Sequence, residues 1–158
     1  MSKSLRRVRA ALDAADLPDT IQEVGQARTA AEAAQAVSCH IDQIAKSIIF
    51  RAEATGAAVL FLTAGGHAVD ADKATAVAGT ALGKADAALI RAQTGFAIGG
   101  VAPIGHLTSI QAWLDPRLME FDMVWAAAGT PRHVFALDPA ELPRLTGAQM
   151  ADFTSKTK

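Results

Sequence analysis

Ile41-Asp42-Gln43-Ile44-Ala45-Lys46-Ser47-Ile48-Ile49-Phe50-Arg51 is the stretch on which the fold turns. From Ile44 onward the residues alternate as an extended strand requires: Ile44, Lys46, Ile48 and Phe50 share one face, and Ala45, Ser47, Ile49 and Arg51 share the other. Both faces are largely apolar, so a strand here is expected near the middle of a sheet. A lysine on such a face is costly unless its ammonium reaches a partner, solvent or a ligand. The alternative is an edge position from which Lys46 snorkels outward. Either way Lys46 is the first residue to ask about chemistry.

Working outward, Ala57 to Thr63 reads as a second buried strand. Ala64-Gly65-Gly66 is a turn, and His67 to Val69 is expected to return as a hairpin. Toward the N-terminus, Ser4 is placed as the cap of a first helix, with Leu5, Val8, Leu12 and Ala15 at helical spacing and Pro18 as its stop. Thr20 to Val24 is a short strand candidate. Thr29-Ala30-Ala31-Glu32 fits a capping box opening a helix to about Val37. Toward the C-terminus, Asp70 caps a helix to about Ala78, and Asp86 caps another that closes at Gly95. Strands are expected over Leu107 to Leu114, Phe121 to Ala126 and Arg132 to Leu137, with Asp115-Pro116 starting a turn or short helix. Asp138-Pro139 opens a last helix ending near Gly147, and the tail to Lys158 is expected to fray. The mixed order of elements, strand-rich in the second half, points to an α+β class with a mixed sheet, as one domain over 1–158.

Composition narrows the function classes. The chain of 158 residues is 51% hydrophobic and 20% charged, long enough to bury a core without staples. Its net charge of −1 argues against a protein living on non-specific nucleic-acid affinity. No basic stripe, recognition-helix signature or aromatic platform marks sequence-specific DNA binding. The basic cluster of Lys3, Arg6, Arg7 and Arg9 reads either as a solvated face or as a small phosphate-facing patch. Cys39 is the only cysteine, so no internal disulfide forms and a cytoplasmic home is expected. Nothing in the sequence approaches the length of a membrane span.

Most chemical motifs are absent. His40, His67, His106 and His133 have no metal-ligand spacing, so no metal or other cofactor is expected. No Gly-x-Ser-x-Gly elbow is present, and Cys39-His40 are neighbours that point apart. Gly79-Thr80-Ala81-Leu82-Gly83-Lys84 fails as a phosphate loop: too few residues separate its glycines, and Ala85 stands where Ser or Thr is needed. What remains is Lys46, a Gly-Thr-Pro turn at Gly129-Thr130-Pro131, and the stretch Gly95-Phe96-Ala97-Ile98-Gly99-Gly100-Val101-Ala102-Pro103-Ile104-Gly105-His106. By its own residues that stretch is either a long connection or a loop of free amides that could hold a carbonyl or an anion.

Three motifs carry a resemblance. Ile44-Ala45-Lys46-Ser47-Ile48-Ile49-Phe50, the Gly99-Gly100-Val101-Ala102-Pro103-Ile104-Gly105-His106 loop, and Trp125-Ala126-Ala127-Ala128-Gly129-Thr130-Pro131 followed by Asp138-Pro139-Ala140-Glu141-Leu142 resemble, in order, those of the YbaK/EbsC (ProX-type) aminoacyl-tRNA editing domains. These are related to the editing insertion of prolyl-tRNA synthetases. The resemblance implies a barrel-like mixed sheet surrounded by helices. It implies a trans-acting deacylase that hydrolyses the ester of a mischarged tRNA, with tRNA(Pro) as the expected species, by water attack assisted by the substrate ribose hydroxyl. Lys46 is then the catalytic candidate, positioning the aminoacyl-adenosine, and the Gly99-Gly100 backbone grips the carbonyl region. Phe96, Val101, Pro103, Gly105, His106, Gly129 and Thr130 complete the expected substrate site. The implied partners are the tRNA acceptor end and prolyl-tRNA synthetase. His106 is open between a loop-fixing and a catalytic role. The hairpin histidine of some relatives falls at Ala127 or Ala128 here, with His133 out of register. The competing reading is a non-catalytic module binding a nucleotide or aminoacyl-adenosine.

Overall fold

The structure is a computed structural model that describes residues 2–156. In chain order it forms helix α1 (Lys3–Ala14), strand β1 (Gln22–Glu23), helix α2 (Ala30–Val37), and strands β2 (Ile44–Ala52), β3 (Ala58–Ala64) and β4 (His67–Val69). Helix α3 (Ala71–Ala78), strand β5 (Leu82–Lys84) and helix α4 (Ala87–Thr94) follow. The second half contributes β6 (Gln111–Leu114), β7 (Val124–Ala127), β8 (His133–Leu137), helix α5 (Leu142–Thr146), β9 (Gln149–Met150) and β10 (Thr154–Lys156). Short 3-10 turns precede β2 (Ile41–Gln43), follow β6 (Pro116–Glu120) and precede α5 (Pro139–Glu141).

One mixed sheet runs β1-β8-β7-β2-β3-β6-β9, with β5 also on β2, and β4 pairs β10 separately. The expected α+β class with a mixed sheet is what forms, and β2 is central. It runs antiparallel to β3 from Ala45 to Arg51, parallel to β7 at Ile44 and Ala45, and antiparallel to β5 at Phe50 to Ala52. Every residue of β3 is buried, which is why its sequence is a continuous apolar run rather than an alternation. Its alternate side chains feed two layers. Leu60 and Leu62 join Leu5, Val8 and Leu12 of α1 in the main core, while Val59 and Phe61 face a smaller core with Trp113 and Phe153. Phe61 stacks on Trp113 with ring centroids 4.9 Å apart and meets Phe153 edge-on, also at 4.9 Å.

The helix boundaries follow their caps. Asp70 accepts from the Lys73 amide at 3.1 Å and Asp86 from the Leu89 amide at 2.8 Å. Thr29 accepts from the Glu32 amide at 3.1 Å; the Glu32 carboxylate meets the Thr29 hydroxyl rather than its amide, so the box is half closed. Gly95 ends α4 in the left-handed region at φ +83°, where only glycine is unstrained.

Several expectations are corrected. The first cap is Ser2, whose hydroxyl accepts from the Leu5 amide, not Ser4. Strand β4 does not return along β3: Gly65 and Gly66 press against Ile41 and Asp42, and the turn carries β4 to β10. The strand expected over 107–114 begins only at Gln111, because the amides of Leu107 and Thr108 bond back to Thr94 and Gln93 at the end of α4. Strand β7 starts at Val124 rather than Phe121, whose ring lies under the Arg117 guanidinium. Strand β5 falls inside the glycine stretch read as a failed phosphate loop. Part of the expected frayed tail is ordered: β9 pairs with β6 and β10 with β4, and Phe153 is fully buried. Residues 157 and 158, at the end of that tail, lie outside the described residues.

Phe153→Ala is therefore expected to cost about 3–5 kcal/mol, as for a large aromatic removed from a core. Urea denaturation measures it; a loss under about 0.5 kcal/mol would mean a tail that only decorates the surface.

Candidate functional site

A cleft of about 260 Å³ opens where β7 leaves β2. Its floor is β2, one wall is β7 with the turn at Thr130 and Pro131, and the start of α2 with Gly99 and Val101 completes it. Lys46 enters it half-buried, and its Nζ donates to the main-chain carbonyl of His67 at 2.6 Å. Burial pushes the Lys46 pKa below the ordinary lysine value, while the charges of Asp115 and Asp42 pull it back up.

The carbonyl that receives Lys46 is held by a buried polar cluster. Asp115, 2% exposed, pairs through Oδ2 with His67 Nδ1 at 2.8 Å and accepts from the Ala64 amide at 3.0 Å. Its Oδ1 takes the Arg117 amide at 3.0 Å. Asp42 accepts from the Gly66 amide at 2.8 Å and from Arg117 Nε at 2.9 Å. Burial alone would raise the Asp42 carboxyl; the Arg117 and Gly66 hydrogen bonds outweigh it and hold the pKa below its usual value.

The structure divides the sequence candidates. Lys46, Gly99, Val101 and Thr130 line the cleft together. Gly100 is not among the lining residues, and its amide is spent on the Ala97 carbonyl at 3.1 Å. A Cβ on Gly100 would come within 2.7 Å of the Thr130 Cα, so this glycine marks a close approach of two backbones. Gly129, at φ +95°, makes another: a Cβ there would lie 2.8 Å from the Ser4 carbonyl oxygen and 3.1 Å from the Phe96 ring. Phe96 is fully buried, with the Arg7 guanidinium 4.6 Å above its centroid and Arg7 Nη2 donating to the Gly95 carbonyl at 2.8 Å. Pro103, Gly105 and His106 face a second cavity, of about 170 Å³, beside Leu60 and Ala112. His106 Nε2 donates to the Ala102 carbonyl at 2.7 Å, and burial holds its pKa below the usual histidine value. The glycine loop thus gives Gly99 and Val101 to the cleft, and Pro103 through His106 to the other cavity.

Some cleft residues escaped the sequence. Ser47, Arg28 and Trp125 line it, as does His133, which the motif comparison set out of register. His133 Nδ1 sits 2.7 Å from Thr130 Oγ1, and its Nε2 is 3.6 Å from a Glu23 carboxylate oxygen. The Thr130-x-x-His133 spacing across a tight turn was the available signal. Among the described residues no aspartate or glutamate lines the cleft, and no group of His, Cys, Asp and Glu comes together that could hold a metal ion. Nor is any helix among them long and apolar enough to cross a membrane. Chemically the cleft offers cations, the hydroxyls of Thr29, Ser47 and Thr130, and main-chain groups: a place for carbonyl or phosphate oxygens.

Two outcomes follow from this geometry. Gly100→Ala must push the loop off the Thr130 turn and is expected to lower stability by about 1–3 kcal/mol, read by thermal melting. Lys46 has a folded-state pKa below its unfolded one. The fold therefore bears the cost of a charged, half-buried ammonium at low pH and is relieved of it as pH rises through the folded pKa. The stability difference between wild type and Lys46→Met should accordingly shift toward wild type between pH 7 and about pH 10, measured by urea midpoints.

Comparison with known proteins bears on the family and the fold. The family model for the aminoacyl-tRNA editing domain matches residues 24–145. The uncharacterized protein YwhH of Bacillus subtilis (strain 168) is 33% identical over 115 residues, 72% of each chain. A crystal structure provisionally described as a trans-editing enzyme for prolyl tRNA synthetase superposes with a TM-score of 0.91 at 46% identity, covering 98% of this chain and 99% of that one. The hypothetical protein APE2540 superposes with a TM-score of 0.85 at 25% identity, covering 94% and 99%. With the family model matching most of the chain and the fold superposing closely, the chain belongs to the aminoacyl-tRNA editing domain family, the YbaK/ProX group.

Proposed function

We propose that the protein is a trans-acting aminoacyl-tRNA deacylase, hydrolysing the ester between a wrong amino acid and the 3′-terminal adenosine of tRNA(Pro). The observation that carries this reading is that Lys46, its ammonium held on the His67 carbonyl, lines together with Gly99 a cleft that has no carboxylate among the described residues. A cation preorganised beside an ester carbonyl stabilises the negative charge that develops on its oxygen, and does so more strongly away from bulk water. The cleft volume, about 260 Å³, suits an aminoacyl group rather than a whole nucleotide. The adenosine then lies across the mouth, where Arg28 is exposed. Water is the nucleophile, with the neighbouring ribose hydroxyl assisting its attack. Lys46 and the Gly99 main chain position the ester. The choice of tRNA(Pro), and of prolyl-tRNA synthetase as protein partner, is supported by what the 46%-identical structure is described as.

A deacylation panel over noncognate aminoacyl-tRNA(Pro) species tests the proposal. Turnover of at least one species by wild type is expected, with Lys46→Ala lowering kcat/KM by about 100-fold or more, the scale of losing one preorganised charge-stabilising donor. Unchanged turnover in a folded Lys46→Ala variant would falsify the role of the lysine. Ligand-induced stabilisation without turnover of any species would instead identify a binding module.

A further inference from the structure

The strand registers leave a gap on β2. On one side β3 pairs with it continuously from Ala45 to Arg51. On the other, β7 covers only Ile44 and Ala45, and β5 takes over only at Phe50. Between them Lys46, Ser47, Ile48 and Ile49 have no strand partner on that side among the described residues. The Ala52 amide bonds to the Ala57 carbonyl at 2.8 Å, on the β3 side. Antiparallel alternation then turns the main-chain groups of Lys46 and Ile48 toward β3, and those of Ser47 and Ile49 toward the gap.

The gap is the cleft floor. Consecutive residues from Ile44 to Ile48 all line the cleft, although alternate strand side chains leave opposite faces. A cavity that touches both sets sits on the strand edge. Ser47 Oγ is also buried and lacks a hydrogen-bond partner, a condition that costs free energy unless something bound there satisfies it.

We propose that this open edge is the subsite for the α-amino group of the bound amino acid, with the Ser47 main-chain carbonyl and Oγ accepting its hydrogen bonds. The inference rests on the deacylase reading for its ligand. The α-amino group is the one hydrogen-bond donor that every primary aminoacyl ester carries beside its carbonyl. The cleft has no carboxylate to receive it, so acceptors must come from main chain and hydroxyl. Ser47 follows Lys46 on the strand, with its side chain on the opposite face and its main-chain groups on the open edge. Ser47 is a positioning residue for the substrate in this scheme and takes no proton.

Binding of non-hydrolysable analogues tests the subsite. An adenosine bearing a 3′-amide-linked aminoacyl group and its des-amino counterpart are titrated against wild type, Ser47→Ala and Ser47→Thr. Wild type should prefer the amino analogue. Ser47→Ala should weaken the amino analogue about five- to tenfold more than the des-amino one, the scale of one neutral hydrogen bond, and Ser47→Thr should restore the preference. Equal affinity of wild type for both analogues, or equal loss of both in Ser47→Ala, overturns the subsite. Selective binding without hydrolysis of the matching ester supports the subsite while overturning the deacylase reading.

Discussion

One buried carboxylate organises the region around the cleft. Asp115 sits at the end of β6 and gathers the Ala64 amide, the His67 imidazole and the Arg117 amide. Its own amide bonds to the Leu62 carbonyl, locking it to β3. A charge so deeply buried is tolerable only with such a set of donors. Two of these donors, Ala64 and His67, flank the turn between β3 and β4, so satisfying Asp115 fixes that turn, and with it the His67 carbonyl on which Lys46 rests. The position of the proposed catalytic ammonium is thus decided by a residue that never reaches the cleft. Asp42 and Arg117 brace the same turn from its other side.

The opposite wall depends on backbone contact rather than charge. Gly100 lies against Thr130, and Gly129 against Ser4 and Phe96. Arg7 then clamps the loop from above through the Gly95 carbonyl and the Phe96 ring. Part of the basic cluster on the first helix is therefore consumed inside the fold, and Arg9 is paired with Asp19 at 2.6 Å. Gly100 is needed in this loop for closeness, while Gly95, Gly99 and Gly105 hold the left-handed backbone that favours glycine.

What could be read from the sequence was what local physics decides. The alternation through Ile44 to Arg51, the apolar run of β3 and the Asp and Thr caps each contain their own instruction. Lys46 stood out because a charge on an apolar strand face demands a reason. The rest depended on contacts distant in sequence. Nothing near Phe153 announces that its ring belongs under Phe61, and nothing near Leu82 announces that it pairs with Ala52. His133 looked misplaced when positions were counted along the hairpin, yet the turn at Thr130 swings it into the cleft. The glycine loop was legible as a special backbone. Its division between two cavities was not, because that depends on where α1 and the hairpin press on it.

The parallel junction of β2 with β7 has a consequence for how the chain is made. Ile44 pairs with Trp125, and the smaller core closes only when Phe153 arrives. On a ribosome adding about 5–20 residues per second, roughly 5–20 s separate synthesis of β2 from that of Phe153. During that interval the β2–β3 hairpin can fold, being local, but it waits with unpaired edges and its Phe50 and Phe61 rings uncovered. The strand edge that becomes the floor of the cleft is, in the newborn chain, the surface most in need of protection from other strands.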